Sequence, residues 1–162
     1  MGPQARIGKR TGHSAIGARR PVVLATFGVS FAPEACEVAV DAATESGCDL
    51  IIANVVELPP LPMSVRMGYD QLDDTHELAG SLRAPAELAF SLGVHVERVR
   101  VRSPRPVAAL LELVAERSAG LLVFGPDPSK LRRRVYRKAT RAIRDRAACL
   151  VWLGPDARND SL

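Results

Sequence analysis

The residues with the most chemical potential in this chain lie between Lys130 and Arg146, where nine Lys or Arg stand against one acid, Asp145. Such side chains hold phosphate and carboxylate, and a guanidinium can present paired N–H donors to two oxygens at once. The cluster follows an apolar run, Leu121 to Phe124, that ends in Gly125, and precedes a second one, Cys149 to Leu153. That order predicts strand, loop, helix, strand. Parallel α/β sheets place ligands at the loop leaving a strand, so Arg132, Arg133, Arg134, Arg137 and Lys138 suggest an anion site. The competing reading is a solvated basic helix face with Val135, Ala139, Ala142 and Ile143 packed inward, the commoner fate of a charge run.

No catalytic set stands out elsewhere. His13, His76 and His95 are far apart, and Ser30 has no histidine at a recognisable spacing. His95 alternates with Val94 and Val96, which predicts a solvent-facing side chain. His76 lies among Asp73, Asp74 and Glu77, but acids at a helix start answer to the helix dipole and need no metal. Cys36, Cys48 and Cys149 form no CxxC pair, which predicts reduced thiols in the cytoplasm, not a disulfide frame or a zinc site. Cys149 reads as a small core residue. These features predict a non-enzyme with no metal.

The elements that must position the basic cluster can be read along the chain. Its 162 residues suit one domain, and 47% hydrophobic with 25% charged residues is an ordinary globular composition. No apolar run approaches the roughly 18–20 residues that cross a bilayer, and the first 20 residues hold no signal-type apolar core. The net charge of +4 is uneven. Residues 1–20 carry five Lys or Arg and no acid, the 130–146 segment is strongly basic, and the remainder is net acidic. Two basic blocks on an acidic body suggest a local anion preference. At 4% aromatic content the chain offers few stacking platforms, which argues against a nucleic-acid role.

The expected organisation is a basic arm at 1–20, an α/β domain at 21–154 and a polar tail at 155–162. Strands are expected at Val22–Ala25, Leu50–Val56, Val94–Val101, Leu121–Phe124 and Cys149–Leu153. Helices are expected at Pro33–Ser46, Asp74–Leu92 with a kink or restart at Pro85, Pro106–Ser118, and across the basic segment. Inward faces are assigned to Ala35, Val38, Ala39 and Ala42, then Leu78, Leu82, Ala89 and Leu92, then Val107, Leu110, Leu111 and Val114. The connection at 57–73, with Pro59, Pro60, Pro62 and Gly68, is a surface excursion or a binding loop. Strict alternation of strand and helix predicts a single doubly wound parallel five-stranded sheet with helices on both faces. The first, second and fourth strands should be central and the alternating third strand at an edge.

The opening strand VVLATFG, the second strand NVVE, the GVHVE lead-in to the third strand, the helix RPVAALLELVAERS running into LLVFG, and the closing CLVWL together resemble the universal stress protein family, over about residues 21–153. Many members of that family bind ATP, with an Asp-Gly pair ending the first strand; here Phe27 and Gly28 occupy those positions. The family's adenine-contacting Val matches Val55. Its phosphate motif is Gly, two residues, Gly, nine residues, Gly, then Ser or Thr. Gly125 matches the first glycine, whereas Pro128 and Lys138 replace the other two, Ala139 follows, and Thr140 comes one position late. Pro128 has no N–H to offer and fixes φ. The resemblance thus implies a cytoplasmic, non-catalytic stress-response regulator with a degenerate ATP motif. No cofactor is certain, and ATP stays open on the incomplete motif. The alternative is a nucleotide or polyanion binder that uses Arg133, Arg137 and Lys138 of the Arg-rich segment. Resemblance also implies a homodimer through the last strand, Leu150, Val151, Trp152 and Leu153.

Overall fold

A computed structural model describes residues 19–59 and 76–154. The basic arm apart from Arg19 and Arg20, the proline-bearing connection from residue 60, and the tail 155–162 lie outside the described residues, as do His13, Asp73 and Asp74.

The sequence alternates short β-branched runs with helix formers, and the structure follows it. The elements are β1 (Val22–Thr26), α1 (Pro33–Ser46), β2 (Leu50–Glu57), α2 (His76–Ser91), β3 (Val96–Ser103), α3 (Pro106–Glu116), β4 (Leu121–Phe124), α4 (Arg133–Arg146) and β5 (Leu150–Leu153). All strand pairs are parallel and the order is β3-β2-β1-β4-β5. This is the doubly wound sheet expected, with β1, β2 and β4 central and β3 at an edge.

Period-two alternation splits the sheet's side chains between two cores. Val23, Ala25, Phe27, Ile51, Ala53, Val55, Leu122 and Phe124 pack with Leu110, Leu113 and Val114 of α3 and with Tyr136, Ala139 and Ile143 of α4. Val22, Leu24, Leu50, Ile52 and Val123 pack with Ala35, Ala39, Val40 and Ala43 of α1 and with Ala89 of α2. Each fully buried Leu, Ile or Phe contributes about 1.5–3 kcal/mol relative to exposure.

Three helices end in the same way. The α1 end places Gly47 in the left-handed region (φ 62°), with Gly47 N–H donating to the Thr44 carbonyl and Cys48 N–H to the Ala43 carbonyl. After α2, Gly93 N–H donates to Phe90 and Val94 N–H to Ala89; after α3, Ser118 N–H donates to Ala115 and Ala119 N–H to Val114. Each is the paired-bond helix stop in which the residue after the left-handed one buries its side chain; here those residues are Cys48, Val94 and Ala119.

This explains the first departure from expectation. β3 begins at Val96, not Val94, and runs on to Ser103, because Val94 anchors the end of α2. The helices also shift. α3 stops at Glu116, and Leu113 is buried where Leu111 was expected. α4 buries Tyr136, and Val135 is 38% exposed. Leu92 is exposed, and α2 runs unbroken through Pro85. β5 begins at Leu150, leaving Cys149 as a half-buried residue before the strand.

One glycine fixes how closely α1 lies on the sheet. A Cβ on Gly125 would stand 2.0 Å from the Cβ of Ala35, so the bare backbone after β4 admits the helix. Gly125→Ala is expected to lower stability by about 1–3 kcal/mol through overpacking, measured by urea denaturation. Pairing it with Ala35→Gly should recover part of the loss.

Candidate functional site

β1 and β4 are neighbours, but the chain leaves β1 toward α1 on one face and leaves β4 toward α4 on the other. Such a switch point opens a crevice beyond the strand ends, where ligands of α/β sheets bind. Here main-chain bonds join the two loops that border it. Gly125 N–H donates to the Ala25 carbonyl (3.0 Å), Ala32 N–H to the Gly125 carbonyl (2.9 Å) and Asp127 N–H to the Ser30 carbonyl (2.8 Å). An isolated antiparallel bridge joins Phe31 to Pro126.

The loop from Gly125 to Leu131 should be the phosphate cradle, so its donors matter. Gly125 and Asp127 point theirs back at β1 and the loop after it. Pro126 and Pro128 have none. Ser129 N–H and Oγ–H both donate to Asp127 Oδ1 (2.9 and 2.7 Å). Lys130 and Leu131 N–H donate to the Asp127 carbonyl (3.0 and 3.1 Å). Every amide across this loop is engaged within the chain or missing. The Ser129 hydroxyl, then its amide, hold the Asp127 carboxyl below its usual range, so the loop carries an anion of its own.

Phe27, at the end of β1, is buried, and its ring meets Phe124 edge-on with centroids 4.8 Å apart. Phe124 in turn stacks on Tyr136 at 6.0 Å. Aromatic pairs of this geometry contribute about 0.5–1.5 kcal/mol beyond area burial. Gly28 has φ 68°, which favours glycine whatever the ligand. Its N–H donates to Asn54 Oδ1 (2.9 Å). Asn54 is wholly buried on β2, and its Nδ2 has no partner among the described residues. Sequence reasoning passed over Asn54, whose only signal was an amide inside an apolar strand. Val55 is fully buried beside it, in register with Val101 of β3.

The basic residues divide between two surfaces. Lys138 shares a cleft of about 410 Å³ with Phe27, Glu57, Arg105, Val107 and Arg146. Arg133, Arg137 and Thr140 line an open groove on the outer side of α4, which Lys138 also borders. Thr140 Oγ1 donates to the Arg137 carbonyl of its own helix (3.1 Å). The structure therefore brings Phe27 and Lys138 together and keeps Arg133, Arg137 and Thr140 outside that cleft. Arg105 and Arg146 join the cleft from α3's N-terminus and α4's last turn.

Nucleophilic chemistry finds little support in the thiols. Burial pushes the Cys36 thiol up to about 11 and raises Cys48 and Cys149 as well. The reactive thiolate is therefore scarce at neutral pH. Among the described residues no group of His, Cys, Asp and Glu is placed to hold a metal, and no helix is long and apolar enough to cross a membrane.

The model of the universal stress protein family matches residues 18–154. The chain belongs to the universal stress protein family. A universal stress protein solved in complex with cAMP is 24% identical, with a TM-score of 0.59, covering 85% of this chain and 98% of its own. UspA from Lactobacillus plantarum is 17% identical with a TM-score of 0.64, covering 84% and 97%. The universal stress protein from Archaeoglobus fulgidus in complex with dAMP is 14% identical with a TM-score of 0.58, covering 83% and 96%. These likenesses carry the fold. No curated protein matches the chain.

Two outcomes are expected of this family member. Asn54→Ala removes the acceptor of the Gly28 amide and should cost about 1–3 kcal/mol, with faster exchange of the Gly28 N–H read by NMR. Alkylation of Cys36, followed by mass spectrometry of its peptide, should accelerate with an inflection near pH 11, not near the usual thiol value of about 8.5.

Proposed function

We propose that this universal stress protein family member is a cytoplasmic, non-catalytic regulator whose nucleotide site has closed. One observation carries the reading: across Gly125 to Leu131 the amides are used inside the chain or replaced by proline. A phosphate loop works by presenting free N–H groups to oxygens, and from Gly125 to Leu131 none is free, which leaves only the amides from Arg132 into the first turn of α4. Phe27 adds to the loss. In the family's ATP-binding pattern an Asp stands there, whereas here an aromatic ring is buried against Phe124. What the fold retains is a surface for partners. β5 exposes its outer edge with Leu150 76% exposed, while Val151 and Leu153 pack on one core and Trp152 on the other. That edge supports a homodimer through Leu150–Leu153.

A second reading is a nucleotide binder of altered geometry. It is favoured by Lys138, Arg105 and Arg146 converging on the apolar cleft beside Phe27, and by solved neighbours described as complexes with cAMP, dAMP and AMP. In this reading guanidinium and ammonium side chains replace backbone donors.

Calorimetry with ATP, AMP and polyphosphate at two salt concentrations separates the two. The closed site predicts no saturable mononucleotide binding, whereas mononucleotide binding that persists at the higher salt establishes the second reading. Phe27→Asp combined with Pro128→Gly should raise ATP affinity by restoring a carboxylate and one N–H. No gain in the folded double variant would overturn the account of closure.

A further inference from the structure

α4 and α1 lie on opposite faces of the sheet, and each turns a charged stripe to solvent. On α4 the stripe is Arg133, Arg137, Arg141 and Arg144; on α1 it is Glu34, Glu37, Asp41 and Glu45, all eight exposed. At about 100° per residue, each set falls within roughly 80° of helix arc. Each spans about 16 Å at a rise of 1.5 Å per residue. No ion pair engages any of the eight among the described residues, where the Arg117–Glu97 pair is on another surface.

The spacings match. Read forward, the arginines step by four, four and three residues. Read backward from Glu45, the acids step by the same four, four and three. Laid antiparallel, Arg133 meets Glu45, Arg137 meets Asp41, Arg141 meets Glu37 and Arg144 meets Glu34.

We infer that α4 of one copy docks antiparallel on α1 of another copy of this chain. The two stripes cannot meet within one molecule, because the sheet separates them. Nor can two copies satisfy both stripes in one two-fold contact, since the stripes face opposite ways. The contact is therefore head-to-tail, and head-to-tail contacts propagate as rings or open chains. Each exposed ion pair is weak alone, so the association needs all four in register and low ionic strength. It is separate from the β5 edge and does not depend on the state of the nucleotide site.

Sedimentation equilibrium of the full chain tests this at about 20 mM and about 500 mM NaCl, on either side of a Debye length of about 10 Å. The mean mass should climb with protein concentration at the lower salt and fall to a constant basal value at the higher. Arg137→Glu with Arg141→Glu should hold the protein at the basal mass in low salt, as should Glu37→Arg with Asp41→Arg. An equimolar mixture of the two variants should recover the association, because α4 of each then matches α1 of the other. Thermal melts establish that both variants fold. If either does not, Arg137→Gln and Glu37→Gln replace them, each expected to weaken the association several-fold. A mass independent of salt, or a mixture that stays basal, overturns the inference. So does polyphosphate capture by the arginine stripe without self-association, which would make that stripe a polyanion surface.

Discussion

β1 is hydrogen-bonded along both edges and covered on both faces, and this enclosure is the constraint on which the rest depends. All five of its residues are buried, so none can be polar without an internal partner. Thr26 meets that condition by donating its hydroxyl to the Val29 carbonyl (2.8 Å). Alternation then dictates where each neighbour goes. Val23, Ala25 and Phe27 face α3 and α4, and Val22 and Leu24 face α1 and α2. The residue that ends the strand must therefore arrive on the α4 side of the crevice. In this chain it is an aromatic ring buried against Phe124, so the core extends one residue past the strand.

Much of this was legible in the sequence, for a physical reason. Strands buried on both faces read as near-continuous apolar runs, and Val22–Ala25, Leu50–Val56 (broken only by Asn54) and Leu121–Phe124 announce themselves by that. Edges of elements were harder. Val94 belongs by alternation to the strand that follows it, yet its N–H closes the end of α2, a role signalled only by the glycine before it. On α4 the expected Ala139 and Ile143 are buried, and the one exchange, Tyr136 inward for Val135, arises because Tyr136 is amphipathic: its ring fills the core while its hydroxyl donates to the Gly154 carbonyl (3.0 Å). The candidate site was half legible. Replacement of the family's Asp by Phe27 and of a glycine by Pro128 could be read directly. That Gly125 serves α1 packing, and that Asp127 occupies its own loop, depend on tertiary approach and on hydrogen bonds that spacing does not encode.

The distribution of charge is as informative as its sum. A basic balance of +4 suggests a protein that attracts anions generally, but two helices on opposite faces of the sheet carry opposite charge. α4 presents arginines and α1 presents carboxylates, with an apolar sheet between. Between these two helices charge is separated across the sheet, which the net figure does not show. Fields of that kind orient molecules as they approach.

The bond from Tyr136 to Gly154 has a further consequence. β5 is short, lies at an edge and among the described residues has only β4 as a sheet neighbour. Stability in a sheet of this order is graded outward from its centre, and the outermost short strand is the natural unit of sub-global opening. The Tyr136 hydroxyl grips the chain just past that strand and ties its release to disturbance of α4. Fraying at the C-terminal edge is thereby coupled to the helix that carries the arginines, so the last strand can report on what happens at a surface it does not touch.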